Sequence, residues 1–166
     1  IKIASETINN FQNIYEEKWL NMMRDKLGFF GEDQGDKKII EDLLNWMEQN
    51  KADYTNTFCY LMNNDSINNE IYKDQKFLTW IKNWKNRVLI NNGSIEKSLK
   101  LMKNTNPTVI PRNHKVEEAL LAANENNLDN FNKLLSVLEN PYDNLENIDE
   151  FQFPSSNNNY QTYCGT

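Results

Sequence analysis

Apolar residues recur at spacings of three and four along almost the whole chain, and this periodicity is the feature that most limits its fold. In the first segment they are Ile8, Phe11, Tyr15, Trp19 and Met22. Such spacing places side chains on one face of an α-helix. No stretch alternates convincingly between apolar and polar residues, which is the pattern of a half-buried strand. The sequence therefore predicts an all-α fold without a substantial sheet.

Cap and turn residues divide the first part of the chain into three helices. Ser5 is a suitable N-cap and Gly28 a suitable stop for the first helix. A second helix follows Asp36, and Asp53 is predicted to cap a short third helix. The polar residues 63–72 are predicted to form a loop.

Three further helices are predicted in the middle of the chain. The strongest periodicity covers residues 77–88, in a fourth helix that is expected to end at Asn92. Ser94 starts a fifth helix, which Pro107 ends because the residue before a proline avoids the helical region. Asn113 is predicted to cap the sixth helix.

A seventh helix is predicted over residues 128–138, ending before Pro141. Beyond it the chain has few aliphatic residues and is predicted to be an extended tail, not an eighth helix. The expected architecture is thus an irregular array of about seven helices in residues 1–140, followed by a tail in residues 141–166.

Charge is distributed unevenly along the chain. The net charge of −6 argues against general nucleic-acid binding. Residues 73–103 carry eight basic and two acidic side chains, whereas residues 139–166 carry five acidic and no basic ones. We expect the acidic tail to lie against this basic band.

The lack of a targeting pattern and the small number of cysteines predict a cytoplasmic protein in a reducing compartment. No stretch approaches the roughly 18 apolar residues of a membrane span, and the first residues lack the pattern of a signal peptide. Cys59 and Cys164 are too few for a disulfide framework and supply no zinc site by themselves. Cys59 is predicted to be a core residue.

The glycines at positions 28, 31 and 35 do not form a phosphate-binding loop. They match neither the P-loop nor the dinucleotide-binding spacing, and the acidic residues among 32–36 place negative charge where a phosphate would lie. The ligand order also differs from that of a calcium-binding EF-hand. The interpretation we favour is an acidic turn between two helices.

His114, which is the only histidine, is predicted to have a structural position near the start of the sixth helix. Charge-relay catalysis would need a nucleophile and an acid beside it, and metal binding would need carboxylates from other helices. A helical enzyme with its own site around His114 is therefore one hypothesis for the chain.

The fourth helix mixes aromatic and basic residues. Trp80 and Trp84 would stack on bases in a nucleic-acid-binding protein. They also share one face of the helix, so we predict that they belong to the core, with Lys82, Lys85 and Arg87 on the solvent side.

Four stretches, in the same order, resemble the selenoprotein O family. Residues 106–123 read NPTVIPRNHKVEEALLAA and are similar to an asparagine-proline turn followed by an RNH helix start. Residues 51–58 (KADYTNTF) resemble the family's ADFTNTF stretch, and residues 140–143 match its PYD turn. Residues 160–166 (YQTYCGT) resemble the YQTFCGT terminus of many bacterial members.

The resemblance implies that the chain is the C-terminal helical extension of a kinase-like protein. Members bind ATP with magnesium or manganese and transfer AMP to Ser, Thr or Tyr hydroxyls of other proteins. The family's catalytic and nucleotide-binding residues lie upstream of the matching part, so no catalytic, cofactor-binding or metal-binding residue is assigned here. The expected partners are the missing kinase-like domain and the protein substrates of the parent.

The resemblance also implies a redox-linked thiol near the C-terminus, a place that Cys164 occupies within the final Cys-Gly-Thr. The alternative to the whole interpretation is a freestanding α-helical module that binds a partner protein and has no enzymatic activity.

Overall fold

The structure is a computed structural model and describes residues 2–62, 70–91, 93–143 and 149–155. These residues form helices and no strand, which confirms the all-α prediction. In chain order the elements are α1 (Lys2–Lys26), α2 (Asp36–Asn50), α3 (Tyr54–Leu61), a 3-10 turn (Glu70–Lys73), α4 (Gln75–Val88), α5 (Ile95–Thr105), α6 (Asn113–Asn124), α7 (Asp129–Leu138) and α8 (Asp149–Gln152).

The helices group into two compact units. Unit 1 comprises residues 1–51 and 69–105, and unit 2 comprises residues 52–68 and 106–166. Unit 1 therefore contains α1, α2, the 3-10 turn, α4 and α5, whereas unit 2 contains α3 and α6 to α8. Each unit is built from two stretches that are separated in the sequence.

A row of stacked aromatic rings forms the centre of unit 1. The ring centroids of Trp46 and Phe77 are 4.3 Å apart, those of Phe77 and Trp80 are 5.8 Å apart, and those of Trp80 and Trp84 are 6.4 Å apart. All four side chains are buried. The indole Nε1 of Trp84 donates a hydrogen bond of 2.9 Å to the carbonyl of Leu27. The predicted core position of Trp80 and Trp84 is confirmed.

Asp74 links the start of α4 to this aromatic row. Its carboxylate accepts hydrogen bonds from the backbone N–H of Phe77 at 3.1 Å and from the indole of Trp46 at 2.9 Å. These bonds, led by the one from Trp46, hold the pKa of Asp74 below its usual value. One side chain thus caps a helix and orients a core residue.

The apolar cluster of unit 2 lies between α6, α7 and α8. It consists of Val109, Ala119, Leu134 and Phe151, each less than a tenth exposed. The sequence predicts an extended tail beyond residue 140. That prediction is wrong at α8, because the buried Phe151 packs in this cluster and the buried Gln152 donates a hydrogen bond to the carbonyl of Thr108.

The helix boundaries agree only in part with the prediction. Asp53 caps α3, since its side chain accepts from the backbone N–H of Asn56. The stop at Gly28 is confirmed: its φ is +70°, and a Cβ there would lie 2.7 Å from the carbonyl of Ser98. Ser5 lies inside α1, so its prediction as a cap is wrong.

Two boundaries in the second half of the chain also differ. The N-cap of α6 is Arg112, which makes no side-chain cap bond, and Asn113 is the first helical residue. The prediction that Asn113 caps the helix is therefore wrong. The fourth helix ends at Val88, earlier than predicted. The predicted loop at 63–72 contains the 3-10 turn at Glu70–Lys73, and residues 63–69 lie outside the described part.

Several predicted apolar stripes face solvent in this chain. On α1 the exposed residues include Ile8, Phe11, Tyr15 and Met22, and on α6 and α7 they include Leu120, Leu121, Leu128, Phe131 and Leu135. Among the residues that the structure describes, no helix is both long enough and apolar enough to cross a membrane.

Candidate functional site

Three of the four stretches that carry the family resemblance lie within the described residues, and their side chains meet in unit 2. Asp53 and Asn56 come from the first stretch, Thr108 and Arg112 from the second, and the turn at residues 140–143 is the third. We call this set of contacts the polar junction. The fourth stretch, residues 160–166, lies outside the described residues.

Arg112 is the centre of the polar junction. Its Nη1 lies 2.7 Å from Oδ2 of Asp53, and its Nη2 lies 2.9 Å from Oδ1 of the same carboxylate. This is the bidentate arrangement in which a guanidinium binds a carboxylate most specifically. Nη2 also donates to the carbonyl of Gln152 at 2.7 Å. Arg112 therefore ties the start of α6 to the capped start of α3 and to α8.

Thr108 fixes the turn that precedes residue 144. Its backbone N–H donates to the carbonyl of Pro141 at 2.7 Å, and its hydroxyl lies 3.0 Å from the same oxygen and 3.1 Å from the carbonyl of Asp143. The carbonyl of Thr108 in turn accepts from Nε2 of the buried Gln152. The junction is thus a network of side chains bound to backbone groups.

Among the residues that the structure describes, two buried side-chain atoms at the junction have no hydrogen-bond partner, namely Oδ1 of Asn56 and Nε of Arg112. One is an acceptor and the other a donor, and both residues bond to Asp53. A buried group without a partner costs about 1–3 kcal/mol. The bidentate ion pair of Arg112 must offset this cost.

A second charged cluster holds the glycine-rich turn of unit 1. Asp36 is fully buried, and its carboxylate accepts from Nε of Arg24 at 2.7 Å, from the guanidinium of Arg87 and from the backbone N–H of Asp33. Arg87 also donates to the carbonyl of Gly31 at 3.0 Å. We call this cluster the Asp36 clasp.

The Asp36 clasp corrects one prediction. Arg87 is 3% exposed, so its predicted position on the solvent side of α4 is wrong. The charge of Asp36 is compensated by two guanidinium groups and is not a surface charge of the turn. Burial by itself would raise the pKa of Asp36, but the hydrogen bonds from Arg87 and Arg24 outweigh burial and lower it.

The periodicity of α4 places position 87 on the buried face, although an arginine is usually expected in solvent. The buried positions of α4 are 77, 80, 84, 87 and 88, and their spacing of three and four includes the arginine. The partner, Asp36, is 51 positions away in the sequence. Periodicity therefore locates the buried face, but the pairing requires the tertiary structure.

The remaining candidate residues do not converge on a site within the described part of the chain. His114 is half-buried near the start of α6, and the described residues contain no group of three or more His, Cys, Asp and Glu that would hold a metal. The hypothesis of an enzyme site around His114 has no support in them. Cys59 is fully buried as predicted, with its thiol 3.8 Å from the carbonyl of Pro107.

The redox prediction falls on Cys164, which lies outside the described residues. In the described part of the acidic tail, the carboxylate of Glu150 lies 3.9 Å from Nζ of Lys115 in α6. Lys115 is not part of the basic band at residues 73–103. The expected contact between tail and band stays a prediction.

Comparison with known proteins identifies a matching family and several similar proteins. The model of the family described as protein adenylyltransferase SelO matches residues 2–139. Proteins named protein nucleotidyltransferase YdiU are 50% identical in Pelagibacter ubique and 43% identical in Clostridium botulinum, each aligned with all of this chain. A third, from Nitrosococcus oceani, is 43% identical over 99% of the chain. The chain spans about a third of the length of these relatives, 34–35%.

Proposed function

This chain belongs to the SelO family of protein adenylyltransferases, and from this premise we propose that it is a non-catalytic helical part of such an enzyme. The parent protein transfers AMP from ATP, with magnesium or manganese, to Ser, Thr or Tyr hydroxyls of other proteins. The family match and the names of the relatives support the reaction class. The coverage of about a third of their length supports assigning the reactive groups to the remainder.

The contacts of the polar junction carry the non-catalytic assignment. Stabilising a transferred phosphoryl group requires charged side chains that face the substrate. Two charged groups of the family-like stretches, Asp53 and Arg112, instead face each other and the protein backbone. Their hydrogen bonds hold α3, α6 and α8 together. We therefore regard them as positioning residues in a part that supports the kinase-like domain.

The test is a pair of calorimetric titrations with ATP in the presence of magnesium or manganese. The full-length protein is expected to bind ATP, and this chain alone is not. A dissociation constant for this chain at or below tens of micromolar, roughly −6 kcal/mol, would overturn the assignment. AMP incorporation into protein, measured by mass on the full-length protein, tests the reaction class.

We also assign a redox role to Cys164, with a cysteine in the remainder of the protein as its partner. Cys59 is buried and serves as an internal control. Under native, non-reducing conditions, thiol labelling of this chain should modify Cys164 rapidly and leave Cys59 protected. A disulfide between Cys59 and Cys164 would contradict this assignment.

A second candidate is a freestanding module that binds a partner protein. It is favoured by the exposed apolar residues of α6 and α7, which include Leu121 at 67% and Phe131 at 44% exposed. The mass of the natural protein in its cells distinguishes the two. A product close to 19.6 kDa favours the module, and one about three times as large favours the enzyme part.

A further inference from the structure

A groove of about 490 Å³ lies between α2 and α4 in unit 1, and residues of these two helices alone line it. The helices run in opposite directions. Trp46 near the end of α2 packs on Phe77 near the start of α4. At the other end, Asp36 at the start of α2 bonds to Arg87 near the end of α4. Each helix therefore forms one wall along the length of the groove.

Each wall carries lining side chains four positions apart. On α4 they are Gln75, Thr79 and Asn83, and on α2 they are Asn45 and Gln49. Four positions along an α-helix correspond to about 6.0 Å. In an extended chain, every second residue presents its N–H and C=O to the same side, and two residues span about 6.4–6.8 Å. The spacing within each wall thus matches the repeat of an extended polypeptide.

Four of these side chains are exposed carboxamides: Asn45, Gln49, Gln75 and Asn83. Within the part of the chain that the structure describes, none of the four has a side-chain hydrogen bond to another protein group. A carboxamide holds an N–H donor and a C=O acceptor in one plane, as a peptide group does. It can therefore donate to a main-chain carbonyl and accept from a main-chain N–H, whatever the side chain of the bound residue.

The indoles of Trp46 and Trp80 also line the groove. They are only 5% and 6% exposed. Their N–H groups are already used, since Trp46 donates to Asp74 at 2.9 Å and Trp80 donates to the carbonyl of Ile39 at 2.7 Å. A base that stacks on an aromatic side chain needs an open ring face, and a sugar ring needs the same. The two indoles instead offer a small apolar contact to side chains that point into the groove.

The lining is nearly balanced in charge. Asp42 is paired with Lys38 at 3.0 Å. Among the lining residues, all of which the structure describes, Lys76 is the single cation. A nucleic acid needs several cations for its successive phosphates. The groove is thus suited to an uncharged main chain and not to a polyanion.

We propose that this groove binds an extended segment of a protein substrate through its main chain. The segment lies between the two walls, with its peptide groups bonded to Asn45 and Gln49 on one side and to Gln75 and Asn83 on the other. The α4 wall is about 12 Å long from residue 75 to residue 83, which is the length of about four extended residues. The groove therefore selects substrates by an extended, unpaired segment and not by residue type.

The inference rests on the proposed function, in which the parent protein modifies hydroxyls of other proteins. Such an enzyme has to hold polypeptides near its reactive groups. A site that bonds to the main chain holds segments of different sequence equally well. The groove thus deepens the proposed function by giving the conformation of the substrate segment.

The first experiment measures fluorescence anisotropy of labelled peptides of about 12 residues, randomised over Ser, Thr, Ala and Gln, with the full-length protein. The same peptides methylated at every main-chain nitrogen have no main-chain donors, so they should bind at least about tenfold more weakly. Equal binding of both sets, or binding of neither, would overturn the proposal. Displacement of the peptides by a malto-oligosaccharide would also overturn it, because the groove would then be a sugar site.

The second experiment compares full-length variants. The double substitution Asn45→Ala and Asn83→Ala removes one carboxamide from each wall and should raise the Kd of the peptides about tenfold. Asn86→Ala is the matched control, because Asn86 is an exposed carboxamide of α4 outside the groove. Equal Kd values in both variants would contradict binding in the groove. Thermal unfolding followed by tryptophan fluorescence verifies that each variant folds.

Neither measurement uses AMP transfer, so the two proposals fail separately. Peptide binding by a protein that transfers no AMP would refute the proposed function alone. AMP transfer to proteins without peptide binding would refute the groove alone. Since the peptides carry Ser and Thr hydroxyls, they also serve as acceptors, and the double variant should raise their KM about tenfold with kcat unchanged. A fall in kcat with KM unchanged would contradict a binding role.

Discussion

Unit 1 is centred on a row of stacked aromatic rings, whereas the apolar cluster of unit 2 is built from Val109, Ala119, Leu134 and Phe151. Unit 2 also exposes large apolar residues on α6 and α7 and relies on the polar junction around Arg112. The family-like stretches that the structure describes, apart from Lys51, belong to unit 2. The described family-like stretches and the aromatic row thus lie in different units, although the family match spans both units.

This difference has a physical reason. An apolar core tolerates exchange among hydrophobic residues of similar volume. A bidentate ion pair does not, because its geometry requires a guanidinium opposite a carboxylate. The polar junction therefore depends on residue identity more strictly than an apolar core does.

The largest effect is expected for Trp84→Ala, which should lower the free energy of unfolding by about 3–5 kcal/mol, the range for a buried aromatic residue. The indole hydrogen bond to Leu27 is lost as well. Urea unfolding measures it, with the exposed neighbour Lys85→Ala as the control. If Trp84→Ala unfolds like the wild type but loses a binding partner, Trp84 is a surface anchor and the contrast between the units is wrong.

Asp36→Asn is expected to cost a similar amount, about 3–5 kcal/mol, because it leaves the buried Arg87 without a counter-charge. Arg24 loses its bond to Asp36 but keeps Glu32 at 3.3 Å. Asp53→Asn is the matched comparison in unit 2. It should cost less, about 1–2 kcal/mol, since asparagine still caps α3 and the pair is partly exposed. If the two variants lose the same free energy of unfolding, the Asp36 clasp does not stabilise its unit more than the polar junction does.

The Asp36 clasp also predicts an acid transition. Because the pKa of Asp36 is lowered in the folded state, its stabilisation is fully present above the unfolded value of about 3.9. It is lost as the pH falls from there through the folded pKa. Thermal unfolding from pH 6 to pH 2 should show the wild type and Asp36→Asn converging at the acid end. Parallel curves would contradict the assignment.

Arg112→Lys tests the junction with the charge retained. The lysine ammonium cannot make the bidentate contact with Asp53, so we expect a loss of about 1–2 kcal/mol. Hydrogen exchange should increase in α3 and α6. Tryptophan fluorescence is the control, since Trp19, Trp46, Trp80 and Trp84 all belong to unit 1. A change in tryptophan fluorescence would mean that Arg112 stabilises unit 1, which contradicts its assignment to unit 2.

The smallest effect is expected for Asn113→Ala. Sequence alone predicts a loss of about 1 kcal/mol for a helix cap. In the structure Asn113 is exposed and is not the cap, so the loss should stay within about 0.5 kcal/mol. Differential scanning calorimetry measures it. A loss near the larger value would restore Asn113 as the cap.

Periodicity predicts the seven longer helices of the described residues and the core position of Trp84, whereas the predicted caps are right at Asp53 and wrong at Ser5 and Asn113. The sequence did not predict which stripes are covered, because a stripe such as that of α1 shows which face is apolar but not what packs on it. It also placed Arg87 in solvent, since an arginine on a buried face depends on a partner far away in the chain. The sequence does not predict the polar junction for the same reason, because Asp53 and Arg112 are 59 positions apart. It does show the family-like stretches from which the junction is built.

The interleaving of the two units has a consequence for synthesis on the ribosome. Chains fold from the N-terminus as they emerge, and α3 emerges between the two stretches that make up unit 1. Asp53 is 59 positions ahead of Arg112, so on the ribosome α3 emerges well before its ion-pair partner. The nascent chain therefore passes through a stage in which every residue of unit 1 has been synthesised but Asp53 of α3 still lacks Arg112.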